Sequence, residues 1–263
     1  MRGEVNGLEM KDAITARRSV RTYTGEPLRE SLLDGLADFI GGVRLLHDNI
    51  PVDVELCGRE EFRKAFVRAS LYRAPDYVVL RSALNIDGCL PNVGFIGEQI
   101  VLWLTHKGIG SCWAGLPAQR ERLSRGQLPS VIAIEFGRAD NAPFRRLPEE
   151  SPRKKLHEVI LDEISRPEFL PLLEAGRLAP SAVNLQPVRY LTKEDAVYIL
   201  RKAPPPGLSA LGRLQQIDVG IAMANMSVRC DGGCTFVRDD PPPSLPEGYL
   251  YEYTMRLTPS YGV

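Results

Sequence analysis

Arg17-Arg18-Ser19-Val20-Arg21 places three guanidinium groups and a hydroxyl within five residues, where a helical pattern gives way to extended chain. Guanidinium groups offer paired donors matched to phosphate oxygens, and a serine adds a short donor beside them. Such a cluster suits one phosphate monoester. It equally suits a solvated basic helix end, favoured by the C-terminal dipole. A second segment, Ala179-Pro180-Ser181-Ala182-Val183-Asn184-Leu185-Gln186-Pro187, carries Ser, Asn and Gln in a loop stiffened by two prolines. These neutral groups both donate and accept, which fits a heteroaromatic ring with carbonyl and imino edges, or a helix-ending turn capped by Ser181. A third segment, Gly108-Ile-Gly-Ser-Cys-Trp-Ala-Gly-Leu116, reads as a glycine-rich loop whose backbone N–H groups can approach a ligand closely. It follows a helix rather than a strand, so it is no dinucleotide fingerprint, and the chain has no Gly-Lys-Ser/Thr phosphate loop.

The composition narrows what such groups serve. In 263 residues, 33 Lys+Arg balance 33 Asp+Glu, so nothing electrostatic favours broad nucleic-acid or anionic-membrane binding. With 44% hydrophobic and 25% charged residues the chain is an ordinary globular one, and no run approaches the roughly 18 apolar residues of a spanning helix. Met1–Asn6 lacks the apolar core of a secretory signal, so a cytoplasmic location is expected. Five cysteines (Cys57, Cys89, Cys112, Cys230, Cys234) form no Cys-x-x-Cys pair and read as reduced thiols. Cys230 and Cys234, four apart, have a spacing open to a metal pair. However, His47, His106 and His157 stand at no ligand spacing, so buried thiols are the favoured reading and no metal is expected.

The elements that must position these groups follow from periodicity. Residues 8–18 predict a short amphipathic helix, with Leu8, Ala13 and Ile14 on one face. Pro27 opens a second helix that runs through Leu28, Leu32, Leu33, Leu36 and Ile40 to Gly41-Gly42. Residues 53–57, 77–80 and 131–136 predict strands, the last an apolar run suited to a sheet covered on both faces. Residues 93–107 predict a buried helix. Residues 137–155, with Pro143, Pro148 and Pro152 among charges, predict a linker or surface loop. Beyond it, helices are expected over 170–178, 194–202 and 217–229, and strands over 188–191 and 248–257. Neither half has strict βαβ spacing, which points to an α+β fold with helices around mixed or antiparallel sheets. Val93-Gly94-Phe-Ile-Gly-Glu-Gln-Ile100 and Val219-Gly220-Ile-Ala-Met-Ala-Asn-Met226 form a faint internal repeat.

Together these segments resemble the nitroreductase family of flavin-dependent α+β reductases. Asp12-Ala-Ile-x-x-Arg17-Arg18-Ser19-Val20-Arg21-x-Tyr23 is similar to its N-terminal FMN-phosphate motif. Ala179-Pro180-Ser181-x-x-Asn184-x-Gln186-Pro187 is similar to its flavin-ring loop. Gly108-Ile-Gly-Ser-Cys-Trp113 with Val131-Ile-Ala-Ile-x-x-Gly137 resembles its glycine segment and following strand, and Arg153-Lys154-Lys155-Leu156 resembles the basic run that closes the phosphate site. The likeness spans most of residues 8–236. One departure stands out: about 160 residues separate the Arg-Arg-Ser and Pro-Ser-x-x-Asn motifs, and each is missing from the other half.

The resemblance implies a nitroreductase-like pseudo-dimer in one chain. Residues 1–160 would form one unit and 161–263 a shorter one, related by a pseudo-twofold axis, with the two long apolar helices packed together. It implies FMN, held by Arg17, Ser19 and Arg21, with Arg18 less directly, and by Arg153 and Lys154 at the phosphate. Pro180, Ser181, Asn184 and Gln186 would meet the ring, and the backbone of Ala114 and Gly115 its N5 or O4 edge. It implies NAD(P)H as donor, a small nitro or quinone acceptor, ping-pong order, and a chain able to work as a monomer. No catalytic side chain is assigned. Two other readings stand beside it: different flavin chemistry on the same scaffold (dehalogenation or flavin fragmentation), and a degenerate homologue that only binds flavin.

Overall fold

The computed structural model describes residues 9–66, 74–115, 127–141 and 144–258; Leu8, Leu116 and Pro143 of the expectations above lie outside them. By contacts the chain divides into two units, Met1–Cys89 with Gln99–Glu150, and Leu90–Glu98 with Ser151–Val263.

In the first unit, α1 (Met10–Ala16) and α2 (Glu30–Gly41) precede β1 (Val52–Gly58), α3 (Arg59–Ala65), β2 (Asp76–Ser82) and α4 (Cys89–His106). β3 (Gly110–Ala114) and β4 (Ser130–Gly137) follow. The four strands form one antiparallel sheet in the order β1-β2-β4-β3. Tyr77, Val78, Val79 and Leu80 are buried on both faces of β2, which accounts for an apolar run without alternation. Their core is closed by α3, which no periodicity announces in so short a stretch. Phe62 stacks on Tyr77 with ring centroids 4.0 Å apart.

The segment 108–116, expected as a glycine-rich loop, is instead largely strand β3. Ser111 to Ala114 pair with Phe136 to Ala133 of β4, so the small residues serve close packing rather than an open loop.

In the second unit, α5 (Leu156–Val159), α6 (Leu170–Leu178), β5 (Val188–Lys193), β6 (Ala196–Lys202), α7 (Ser209–Arg229), β7 (Cys234–Val237) and β8 (Tyr249–Leu257) follow in turn. Their sheet is antiparallel in the order β5-β6-β8-β7. A helix was expected over 194–202; the chain instead makes a hairpin strand there. Glu194 takes a left-handed φ of 47° in a two-residue turn, and Ala196-Val-Tyr-Ile-Leu200 is β-branched and aromatic enough for a central strand buried on both faces.

Strand order is the same in both sheets, and in each a long helix falls between the second and third strands along the chain, although the first has α3 between its first two strands. The first half of α4 belongs to the second unit, where it crosses α7 at backbone contact. A Cβ at Gly94 would lie 2.2 Å from the Ile217 carbonyl oxygen, and one at Gly220 2.0 Å from that of Pro91. The close approach of the two apolar helices is therefore made by glycine. Phe95 meets Phe236 edge-on nearby.

Candidate functional site

In the first unit α1 ends at Arg17, whose ψ of 128° turns the chain into extended form. The following residues lie along β3. Ser19 bridges Ser111 in parallel, and the Val20 amide donates to the Ser111 carbonyl at 2.9 Å. Gly110 makes this possible, because a Cβ there would stand 2.9 Å from both Val20 methyls. Arg17 and Val20 are buried, Ser19 is half-buried, and Arg18 and Arg21 are exposed. Arg17 Nη1 stands 3.5 Å from Ser19 Oγ, and the Tyr23 hydroxyl donates to the Val20 carbonyl at 2.7 Å.

A fourth cation joins them. The Arg145 amide donates to the Ala16 carbonyl at 2.9 Å, which pins this residue to the end of α1. Its Nη1 is buried with no hydrogen-bond partner among the described residues. Burial, and then the like charges of Arg17 and Arg18, bring its pKa down to about 10. Guanidinium groups gathered and partly desolvated in this way are stabilised by an anion. Glu135, on β4, is held near 7 by burial, against the opposing pull of Arg21. Ala114 ends β3 opposite Ala133, and Gly115 follows it, exposed.

In the second unit the loop after α6 is backbone-strained and heavily braced. Val183, Asn184 and Gln186 take φ of 44°, 59° and 50°, and for a β-branched valine that is a genuine outlier. Ser181 Oγ accepts the Gln186 amide at 2.8 Å. Arg153 reaches the Ala179 carbonyl through Nε at 3.0 Å and donates to Asn184 Oδ1 through Nη1. The Lys154 amide donates to Gln186 Oε1 at 2.6 Å, and Asn184 Nδ2 donates to the Pro152 carbonyl. The sequence sees residues 153–154 and 180–186 as separate motifs, and the fold joins them as brace and loop. Val183 and Leu185 remain exposed at the tip, Val183 at 89%.

Beneath the loop lies a small cleft, partly open to solvent, lined by Pro180, Ser181, Gln186, Tyr190 and Asp218 among others. Asp218, on α7, accepts the Ala182 amide at 2.9 Å through Oδ1. Its Oδ2 and the Tyr190 hydroxyl are buried without a partner among the described residues. Burial raises the Asp218 pKa to about 7, with the Ala182 amide and the Arg153 charge pulling the other way.

A profile described as "Putative TM nitroreductase" matches residues 9–230. The chain belongs to this nitroreductase family. Its fold is similar to that of a "putative nitroreductase" from Thermotoga maritima (22% identity, TM-score 0.64, 98% of each chain covered). Weaker likenesses include a nitroreductase family protein of Clostridium difficile (17% identity, TM-score 0.47, 59% of this chain and 98% of that one). Another is a nitroreductase with bound FMN from Desulfitobacterium hafniense (15% identity, TM-score 0.44, 56% and 98%). No curated protein matches the sequence. Among the described residues no helix of this chain is long and apolar enough to cross a membrane.

Sequence reasoning missed Arg145 and Asp218. Arg145 sits in a proline-rich stretch read as linker, and only the Arg145-Arg146 pair hints at it. Asp218 is one carboxylate in an apolar helix, a pattern whose signal is the cost of burying it.

Proposed function

We propose that this nitroreductase is an FMN-dependent oxidoreductase. The reading is carried by the 179–187 loop: three left-handed non-glycine residues are held in place by Arg153, Lys154, Ser181 and Asp218, and apolar side chains are exposed at the tip. Backbone strain maintained by so many hydrogen bonds is typical of ligand clamps. A flat ring fits such a loop, since Val183 and Leu185 offer exposed apolar surface; Pro180, Ser181, Asn184 and Gln186 are proposed to meet it, with the Asn184 and Gln186 side-chain amides already hydrogen-bonded within the brace. In the first unit, the gathered guanidinium groups suit the phosphate of such a cofactor. Arg17, Ser19, Arg21 and Arg145 are assigned to its phosphate with Arg18 at the margin, Arg153 and Lys154 in support, and Ala114 and Gly115 near the ring edge.

Bound FMN supplies hydride transfer from NAD(P)H to a small nitro or quinone acceptor, in ping-pong order. The protein contributes binding, orientation and exclusion of water, and needs no side-chain acid or base of its own. Asp218 acts only by holding the loop, and Arg153 braces it as well as supporting the phosphate. We further propose that the matching strand orders reflect an internal duplication, that one flavin binds per chain, and that the protein works as a cytoplasmic monomer.

The test is direct. Protein purified with added FMN should be yellow, release FMN rather than FAD on heating at one per chain, and bleach anaerobically with NADH or NADPH. A nitro or quinone compound should then restore the colour. Protein that stays colourless and takes up no FMN in a titration would refute the proposal.

A further inference from the structure

Cys230 and Cys234 lie where α7 gives way to β7, and none of the flavin chemistry uses them. Cys230 closes the helix and Cys234 opens the strand. The turn between them is tightly fixed: Asp231 and Gly232 take φ of 53° and 74°, the Gly232 amide donates to the Ser227 carbonyl at 2.8 Å, and the Gly233 amide donates to the Cys230 carbonyl at 2.7 Å. This geometry turns the two side chains toward each other, with the sulfurs 3.0 Å apart. A disulfide needs only about 1 Å less. Among the described residues no group of three or more His, Cys, Asp or Glu is placed to hold a metal ion, so the pair lacks the further ligands of a zinc site.

We propose that Cys230 and Cys234 form a reversible dithiol–disulfide couple, oxidised by a low-molecular-weight disulfide such as oxidised glutathione. One thiolate attacks a sulfur of the small disulfide, whose S–S bond breaks and whose first half leaves as a thiol with one proton. The second protein thiolate then attacks the mixed disulfide, and the other half leaves with the second proton. The protein gives up two electrons and two protons, and the small disulfide becomes two thiols.

Both sulfurs are buried, and the turn that joins them carries an exposed Asp231 and two half-buried glycines. Oxidation therefore waits on local opening of this turn, and its rate reports that opening rather than global unfolding. The bridge would close a loop of few residues, so it adds little stability, and its use is to store an electron pair or shield the thiols from harsher oxidation.

The wild-type chain, folded and at neutral pH, is incubated with oxidised glutathione, alkylated, and digested with trypsin. Arg229 and Arg238 flank both cysteines, with no Lys or Arg between them, so one peptide, 230–238, carries the pair. The expected result is that this peptide becomes lighter by two hydrogens, takes no alkyl group, and recovers both thiols with dithiothreitol. A Cys230→Ser chain should instead stop at a stable glutathione adduct on Cys234. The proposal is overturned if peptide 230–238 of the wild-type chain keeps two alkylatable thiols, or carries separate glutathione adducts on both. Because the wild-type chain gives the deciding readout, a variant that folds poorly does not blunt the test.

Discussion

Asp218→Asn tests the reading of the braced loop most sharply. Asparagine keeps an oxygen to accept the Ala182 amide and removes only the charge. The wild-type carboxyl titrates near 7 in the folded chain, against about 3.9 in an unfolded one. The folded state thus holds its proton more tightly, and stability falls as pH rises from about 4 to about 7. Below that window both states are protonated and the group costs nothing. Above it the buried charge costs at most about 4 kcal/mol, a gap of roughly 3 pH units at about 1.4 kcal/mol each. The variant has no such slope. Urea melts followed by circular dichroism should place it about 1.5 kcal/mol above wild type at pH 5 and up to about 4 kcal/mol above it at pH 8, relative to the difference at pH 3. A difference that does not change between pH 5 and 8 would refute the argument, because the carboxylate would then be ionised at no cost.

Further substitutions probe other parts of the molecule. Arg145→Ala should weaken FMN binding roughly ten- to a hundredfold, about 1.5–3 kcal/mol for a lost charge-assisted contact, without lowering the Tm of the flavin-free protein. Flavin fluorescence titration reads the affinity, and a change under twofold would remove Arg145 from the phosphate site. Gly94→Ala and Gly220→Ala should each cost about 1–3 kcal/mol or more, because the new methyl meets a carbonyl oxygen of the other helix; an unchanged Tm would mean that the helices do not touch. Gly176→Ala places a Cβ 2.2 Å from the Tyr190 hydroxyl. Adding Tyr190→Phe should therefore recover part of the lost Tm, and strictly additive losses in the double variant would count against that contact.

Much of the fold was legible because its signals are local. The helix at 170–178 has the expected ends, and the strands expected at 53–57, 77–80 and 131–136 are present with ends off by one or two residues. Residues 196–202 went the wrong way because a strand buried on both faces loses its alternation, and a run such as Val197-Tyr-Ile-Leu200 then differs from a helix only in residue type. β3 was missed because its small side chains answer to Val20 and to β4, partners far away in sequence. The motif residues themselves were visible as clusters of donors. What stayed hidden were Arg145 and Asp218, whose significance comes from burial beside particular neighbours and not from spacing. The strain at Val183 was likewise hidden, since no composition rule places valine at positive φ.

The division of α4 between the two units has a consequence for how the protein is made. The second unit draws on residues 90–98 and then on nothing until residue 151, so its own strut leaves the ribosome long before the helix that packs on it. During synthesis Pro91, Gly94 and Phe95 must wait, apolar and uncovered, while more than a hundred residues are added before α7 arrives with Ile217 and Gly220. Vectorial folding, N-terminal unit first, is thus interrupted in this chain. A nascent chain stalled between the two units would carry an exposed apolar helix face, the kind of surface that chaperones hold. For the same reason no single cut yields two self-sufficient fragments: a piece beginning at Ser151 would lack the segment that its longest helix was shaped, glycine by glycine, to receive.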